Sequence, residues 1–254
     1  MNPIGIVSAL AAEARTLGPA DRHGTELCRL ADGAWVAVSG IGPAAAAAAA
    51  RRLVLAGAGA LASYGVAGGL DPTLICGSVL LPEEITAVGA ERSDTRWPTS
   101  PRWRDRLRSA LPASCIVCGG TLLTSERPLA HPDIKAAAWR RTGAAAVDME
   151  SAAVAQVAAQ AGLPFLTLRV IVDTAADELP RAVIAASGGG RLRIGPLIGN
   201  LARAPGEIAG VIGLSARYRI ARRVLAGLVA DGSAPRRALL GGPEGAAEAS
   251  AAGS

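Results

Sequence analysis

A chain of 254 residues that is 50% hydrophobic but only 3% aromatic must fill its core with alanine, valine and leucine. That composition is ample for a sizeable core and suits close helix-on-sheet packing, and the length fits one large domain, or one domain plus appendages. The opening MNPIGIVSAL has no basic leader and no apolar run reaches the roughly 20 residues of a spanning helix, which sets the expectation of a cytoplasmic protein. The net charge of +5 is uneven: residues 1–187 hold 17 basic and 17 acidic side chains, whereas residues 188–237 hold nine arginines against Glu207 and Asp231.

In chain order, residues 4–9 read as a buried strand, and Ala11–Leu17 as a helix with Glu13 in its first turn. A strand at 34–39 runs into the turn Gly40-Ile41-Gly42-Pro43 and a helix of seven consecutive alanines, Ala44 to Ala50. Residues 60–66 and 77–81 predict two more strands, 101–111 an exposed helix and 115–123 a further strand. A helix over 151–161 is stopped by Gly162-Leu163-Pro164, and 165–172 (FLTLRVIV) predicts a fully buried strand. This alternation specifies an α/β fold of three layers around a twisted, mostly parallel sheet with some antiparallel pairing. Residues 1–187 form the expected α/β domain and 188–232 a basic, apolar helical extension. Residues 233–254, rich in Ala, Gly, Ser, Pro and Glu, are expected to be a disordered tail.

Cys115 and Cys118 have CxxC spacing, but they lie in an apolar SCIVCGGTLL run without a second pair or nearby histidines. Buried free thiols are the expectation, with no metal and no bound cofactor. In open α/β sheets ligands collect beyond the carboxyl ends of strands. Those ends carry Glu13, Ser39-Gly40-Ile41-Gly42, Val66-Ala67-Gly68-Gly69, Asp148-Met149-Glu150 and Asp173. Glycines there let a flat ligand approach the backbone, one carboxylate can accept hydrogen bonds from a vicinal diol, and another can donate a proton to a leaving group. Each group also has an ordinary reading: Glu150 as a first-turn carboxylate favoured by the helix dipole, Asp173 as a turn cap with Thr174, Glu13 as an exposed helix residue.

The segments IGIVSALAAEARTL (4–17), VSGIGPAAAAAAARRL (38–53), YGVAGGLDPTLICGSVLLPEE (64–84) and AAVDMESAAVAQVAAQAGLPFLTLRVIVDTAAD (145–177) resemble the nucleoside phosphorylase and nucleosidase superfamily. The resemblance implies an enzyme of the nucleoside phosphorylase fold that cleaves an N-ribosyl bond. Glu13 would activate the nucleophile and Asp173 would deliver a proton toward the purine. Glu150 would bind the ribose diol, Met149 would pack on the sugar, and Ala67 and Gly68 would line the pocket. Two departures stand out: Val66 replaces a usual serine, and the only phenylalanine, Phe165, lies in a strand instead of the segment TLLTSERPLAHP.

The wording of 121–165 and the basic extension look like the hopanoid-associated phosphorylases. That likeness implies phosphorolysis of adenosylhopane to adenine and a phosphorylated ribosyl hopane, with inorganic phosphate as co-substrate. Phosphate would then meet Ser39, Gly40, Gly42 and a cation such as Arg15. The arginine-rich extension is expected either to face an anionic membrane or to pack as an extra helical layer with its arginines exposed. A water-using methylthioadenosine/S-adenosylhomocysteine-type nucleosidase is the alternative activity, and a non-catalytic nucleoside- or membrane-binding module a third. Relatives imply a homo-oligomer. Nucleic acid is not an expected partner, because the basic segment holds a single aromatic, Tyr218.

Overall fold

The computed structural model describes residues 2–23, 27–87, 95–181, 184 and 205–243. Its strands are β1 (Ile4–Ser8), β2 (Ala20–His23), β3 (Leu27–Leu30), β4 (Trp35–Val38), β5 (Ala60–Gly69), β6 (Val79–Leu80), β7 (Glu84–Ala87), β8 (Thr95–Pro98), β9 (Val117–Cys118), β10 (Thr121–Thr124), β11 (Ala146–Asp148) and β12 (Phe165–Asp173). Among the described residues they form one mixed sheet, ordered β2-β3-β4-β1-β5-β11-β10-β7-β8 along its main path. The ten-residue β5 is the branch point. Its first half pairs in parallel with β1 and most of its length with β12, while Gly68 and Gly69 pair antiparallel with β11. A side branch continues from β12 to β6 and β9. The long central strand therefore brings the ends of β1, β11 and β12 to one place.

Helices cover both faces, giving the expected three layers. On one side lie α2 (Pro43–Leu55) and α5 (Ser151–Gln160). In α2, Ala46, Ala49, Ala50 and Leu53 recur at helical spacing and are fully buried against the small side chains of α5. The polyalanine run thus lets two helices approach closely over the sheet. On the other side lie α3 (Pro101–Ala110), α6 (Ile208–Leu228) and α7 (Ala234–Leu240). The short α1 (Ala11–Ala14) and a following 3-10 turn (Arg15–Leu17) leave β1, and α4 (Pro132–Thr142) packs on the β10–β11 edge through Ala138.

Several expectations change. The single strand over 115–123 is two short strands, because Gly119 and Gly120 interrupt it and Gly120 takes φ +92°. The helix at 101–111 is not a wholly exposed one: Trp103 and Leu107, four residues apart, are fully buried. Cys115 and Cys118 are free but half-buried rather than buried, and Cys28 and Cys76 are likewise free and half-buried. The tail expected from residue 233 begins with α7, whose Pro235, Arg236, Ala238 and Leu239 are buried; residues 244–254 lie outside the described residues. Of the extension at 188–232, residues 188–204 also lie outside them. The remainder forms α6, which lays Leu214, Tyr218, Ala221, Leu225 and Leu228 against the sheet and leaves Arg219, Arg222 and Arg223 exposed. Among the described residues no helix is long and apolar enough to cross a membrane.

Arg236 fastens α7. Its Nε donates to Asp32 Oδ2 at 2.9 Å, and Nη1 donates to the carbonyls of Leu17 and Val229. Trp103 Nε1 adds bonds to the Ala238 and Leu239 carbonyls at 3.1 and 3.0 Å. Removing a buried, charge-assisted donor costs about 1.5–3 kcal/mol. Arg236→Ala is therefore expected to lower the melting temperature by roughly 4–10 °C, measured by circular dichroism; a melt coincident with wild type would show that the clasp is energetically idle.

Candidate active site

A cavity of about 180 Å³ opens where β1, β5, β11 and β12 end. Of the ten site residues expected from the sequence, Glu13, Ala67, Gly68, Met149, Glu150 and Asp173 line it. The three carboxylates are buried: Glu13 is 2%, Glu150 7% and Asp173 4% exposed. Glu13 turns inward from α1 instead of lying exposed. Glu150 stands at the N-cap of α5 but makes no side-chain cap bond to it, and the turn after Asp173 is capped by Asp177, whose Oδ2 accepts from Thr174 N and Oγ1.

Each carboxylate is held by a different device. Glu13 accepts from Ser8 Oγ at 3.2 Å, Leu10 N at 3.3 Å and Val66 N at 3.3 Å. Because position 66 contributes its backbone amide, valine there keeps this contact where a side-chain hydroxyl is lost. Gly65 permits it sterically: a Cβ at that position would lie 2.7 Å from Glu13 Oε2. Burial pushes the Glu13 carboxyl above its usual range, and the Arg169 charge and these donors pull it back. Glu150 Oε1 accepts from Gly42 N at 2.7 Å. Burial, then the adjacent Asp148 charge, push the Glu150 carboxyl up to about 7, against Arg169 and the Gly42 amide. Asp173 meets Lys135 Nζ, and burial raises its carboxyl while the Lys135 charge opposes the rise.

Beneath these groups lies a buried polar cluster that the sequence did not announce. Asp148 Oδ2 accepts from Arg169 Nε and Nη2 at 3.0 and 2.8 Å, and Asp148 also accepts from Ser151 N and from Thr124 Oγ1. Arg169 Nη2 reaches Ser63 Oγ at 2.7 Å and Ser151 Oγ at 3.1 Å. Asp148 thus serves the start of α5 and frees Glu150 to face the cavity. Lys135 is equally unmarked, three residues beyond the segment TLLTSERPLAHP (121–132) in which an aromatic is missing. That segment instead sends Arg127, Pro128 and Leu129 to the cavity wall.

The four remaining expected residues, Ser39, Gly40, Gly42 and Arg15, are not among those lining the cavity. Their donors are engaged within the fold. Ser39 N bonds Ser8 O, Gly40 N bonds Ala9 O, Ser39 Oγ donates to Gly40 O at 2.7 Å, and Gly42 N is given to Glu150. Arg15 is exposed on its 3-10 turn.

The cavity shares Leu10, Ile41, Val66, Pro128, Val172, Asp173 and Leu179 with an apolar chamber of about 660 Å³. The far wall of the chamber is α6, through Val211, Ile212, Leu214 and Tyr218. A polar, acidic floor thus continues into a greasy vestibule.

The Asp148–Arg169 pair supplies a direct test of this architecture. Breaking a buried pair by removing one partner costs about 3–5 kcal/mol, since the other charge is left uncompensated. Arg169→Met should show that loss in urea unfolding, and a loss under about 1 kcal/mol would overturn the assignment.

Residues 5–189 match the phosphorylase superfamily. Futalosine hydrolase of Streptomyces coelicolor is 31% identical over 209 residues, covering 75% of this chain and 85% of that one. Among solved structures, the fold is shared with 5′-methylthioadenosine/S-adenosylhomocysteine nucleosidase from Neisseria meningitidis in complex with methylthio-immucillin-A, at a TM-score of 0.68 and 19% identity over 89% of this chain and 96% of that one. It is shared also with native futalosine hydrolase of Helicobacter pylori, at 0.67 and 18% over 88% and 94%. On the family match, which takes in every residue of the acidic cavity floor, the chain belongs to the phosphorylase superfamily.

Proposed function

We propose that this protein is a nucleosidase that uses water to cleave the N-glycosidic bond of a purine nucleoside bearing a bulky apolar group on its 5′ carbon. The observation that carries the reading is the convergence of Glu13, Glu150 and Asp173 on one cavity that runs into the 660 Å³ apolar chamber. Breaking an N-ribosyl bond places positive charge on the sugar and negative charge on the base. Glu150 is fixed by the Gly42 amide at Oε1 and by Met149 N at Oε2 (3.3 Å), and its remaining lone pairs accept from the ribose diol, with Met149 beside it to pack on the sugar. Glu13 takes the proton of the attacking water. Asp173, raised by burial, supplies the proton to the departing base. The 5′ group lies in the chamber against α6.

Hydrolysis is favoured over phosphorolysis by two observations. The donors of Ser39, Gly40 and Gly42 are already spent within the fold, and Arg15 points to solvent. The relative from Streptomyces coelicolor is a hydrolase. The size and apolarity of the chamber favour a second reading, phosphorolysis of adenosylhopane.

One assay separates these readings. Purified protein is incubated with futalosine, methylthioadenosine and detergent-dispersed adenosylhopane, with and without phosphate, and free base is measured by chromatography. Base release independent of phosphate is expected; release only with phosphate would overturn the hydrolytic reading, and no release from any nucleoside would overturn an enzymatic one. Asp173→Asn is expected to lower kcat about 10²–10⁴-fold.

The pH profile follows from Glu150. Its carboxyl, lying at about 7, must be ionised to accept both diol hydroxyls, so protonation at lower pH removes a binding group. The acid limb of kcat/KM is expected near pH 7 and should fall toward lower pH. A limb near 4.5, the ordinary glutamate value, would show that burial does not hold this carboxyl above its usual range.

A further inference from the structure

Lys135 is the one lysine of the chain, and it has no exposed surface. It stands on α4, remote in sequence from every strand end that carries a carboxylate. Its Nζ donates to Asp173 Oδ2, to Thr174 O at 2.7 Å and to Asp177 O at 2.9 Å. An ammonium has three hydrogens and no acceptor, so the three oxygens satisfy the charged form in full. Taking an ammonium out of water costs several kcal/mol, and filling the space would need only a leucine or methionine. The arrangement therefore asks for a role beyond packing.

The geometry divides the two oxygens of Asp173. Oδ2 is occupied by Lys135, which leaves Oδ1 for the cavity, and Gly68 keeps the space beside the whole carboxylate open: a Cβ there would lie 3.2 Å from Oδ2 and 3.3 Å from Oδ1. We infer that Lys135 is a positioning residue that holds Asp173 by Oδ2, presents Oδ1 to the departing base, and by its charge governs the pH at which Asp173 gives up its proton. The inference rests on the nucleosidase reading. In that reaction the water oxygen bonds to the anomeric carbon while a water proton passes to Glu13. The electron pair of the broken C–N bond goes to the base, which takes the proton from Asp173 Oδ1. The carboxylate left behind faces the Lys135 ammonium, which stabilises it.

Other charges also face Asp173: Asp177 in the turn that follows β12 and Arg217 on α6. The Cys76 thiol, between β5 and β6, senses Asp173 in turn. Arg217 Nη1 pairs with Asp177 Oδ1 at 3.2 Å, so these two largely offset each other and leave Lys135 as the dominant partner. An opposite charge at contact lowers a carboxyl pKa by about 1–3 units. Neutralising Lys135 should therefore raise the pH to which Asp173 stays protonated.

The test compares Lys135→Gln, Lys135→Met and Lys135→Arg in the full chain, with fold checked by circular dichroism. In Lys135→Gln and Lys135→Met, kcat is expected to fall about 100-fold from lost orientation, with KM little changed. The basic limb of the kcat profile is expected to move up by about 1–3 pH units. Lys135→Arg keeps the charge and should keep the limb within about half a unit of wild type, well inside that shift. A basic limb at the wild-type position in either folded neutral variant overturns the inference. Failure of both neutral variants to fold also overturns it, by assigning Lys135 to the core alone. If wild type releases no base, or Asp173→Asn is as active as wild type, the nucleosidase reading fails instead.

Discussion

The ion pair between Asp148 and Arg169 is the contact on which the rest of the site depends. Arg169 projects from the buried β12, Asp148 ends β11, and both side chains are almost wholly out of solvent. Such a pair is poor evidence for stability, because desolvation of two charges consumes most of what their attraction returns. Its value lies in direction. Two guanidinium donors converge on one carboxylate oxygen, Asp148 Oδ2, and the same arginine reaches Ser63 on β5 and Ser151 on α5. Thr124 on β10 closes the cluster through Asp148 Oδ1. Five elements are thereby locked around the two residues, Met149 and Glu150, that enter the cavity next.

This foundation also explains how three carboxylates occupy one small cavity. Ionised together without partners, they would repel and stay solvated. Here each is neutralised by a different local means: backbone and hydroxyl donors for Glu13, the Gly42 amide for Glu150, and a full ammonium for Asp173. Arg169 adds a shared positive charge that acts on both glutamates. Burial raises all three carboxyls, yet the groups opposing the rise differ in kind and strength. Similar side chains are thus placed in dissimilar surroundings, the condition under which carboxylates of one pocket can differ in protonation.

Much of this was readable before any coordinates. The alternation of apolar runs and glycine turns specified the layers, and the carboxylates at strand ends pointed to the cavity, because both follow from local pattern. What escaped reading is nonlocal or short. The β2–β3 and β7–β8 hairpins contain polar four-residue strands such as ADRH and TRWP, whose pairing is decided by their neighbours and not by alternation. Lys135 looks like a surface charge in sequence, and Arg169, inside a strand read as buried, shows no partner there; only a fold that brings residue 135 to residue 173 and residue 169 to residue 148 reveals them. One signal went unused. The segment 132–143 has proline at its first helical position, Asp133 in the first turn, Arg140 and Arg141 in the last, and Gly143 at φ +66°, a complete set of helix signatures.

The C-terminal segment shows the limit of composition as an argument. Its excess of arginine among apolar residues suits a membrane-facing surface and a packed helix equally, because composition does not say which way each residue faces. Spacing does. Leu214, Tyr218, Ala221, Leu225 and Leu228 recur at intervals of four and three, a single stripe that the sheet covers, and Arg219, Arg222 and Arg223 fall outside it. Arg217, at the edge of the stripe, is drawn inward by Asp177. The same helix that hides one face against β12 turns Val211, Ile212 and Tyr218 to the chamber beside the acidic floor. Leu214 and Tyr218 do both, closing the core on one side and walling the chamber on the other, whereas Val211 and Ile212 lie outside the stripe and wall the chamber alone. A strict repeat is demanded only by the core, so the helix extends its wall with residues the repeat does not predict.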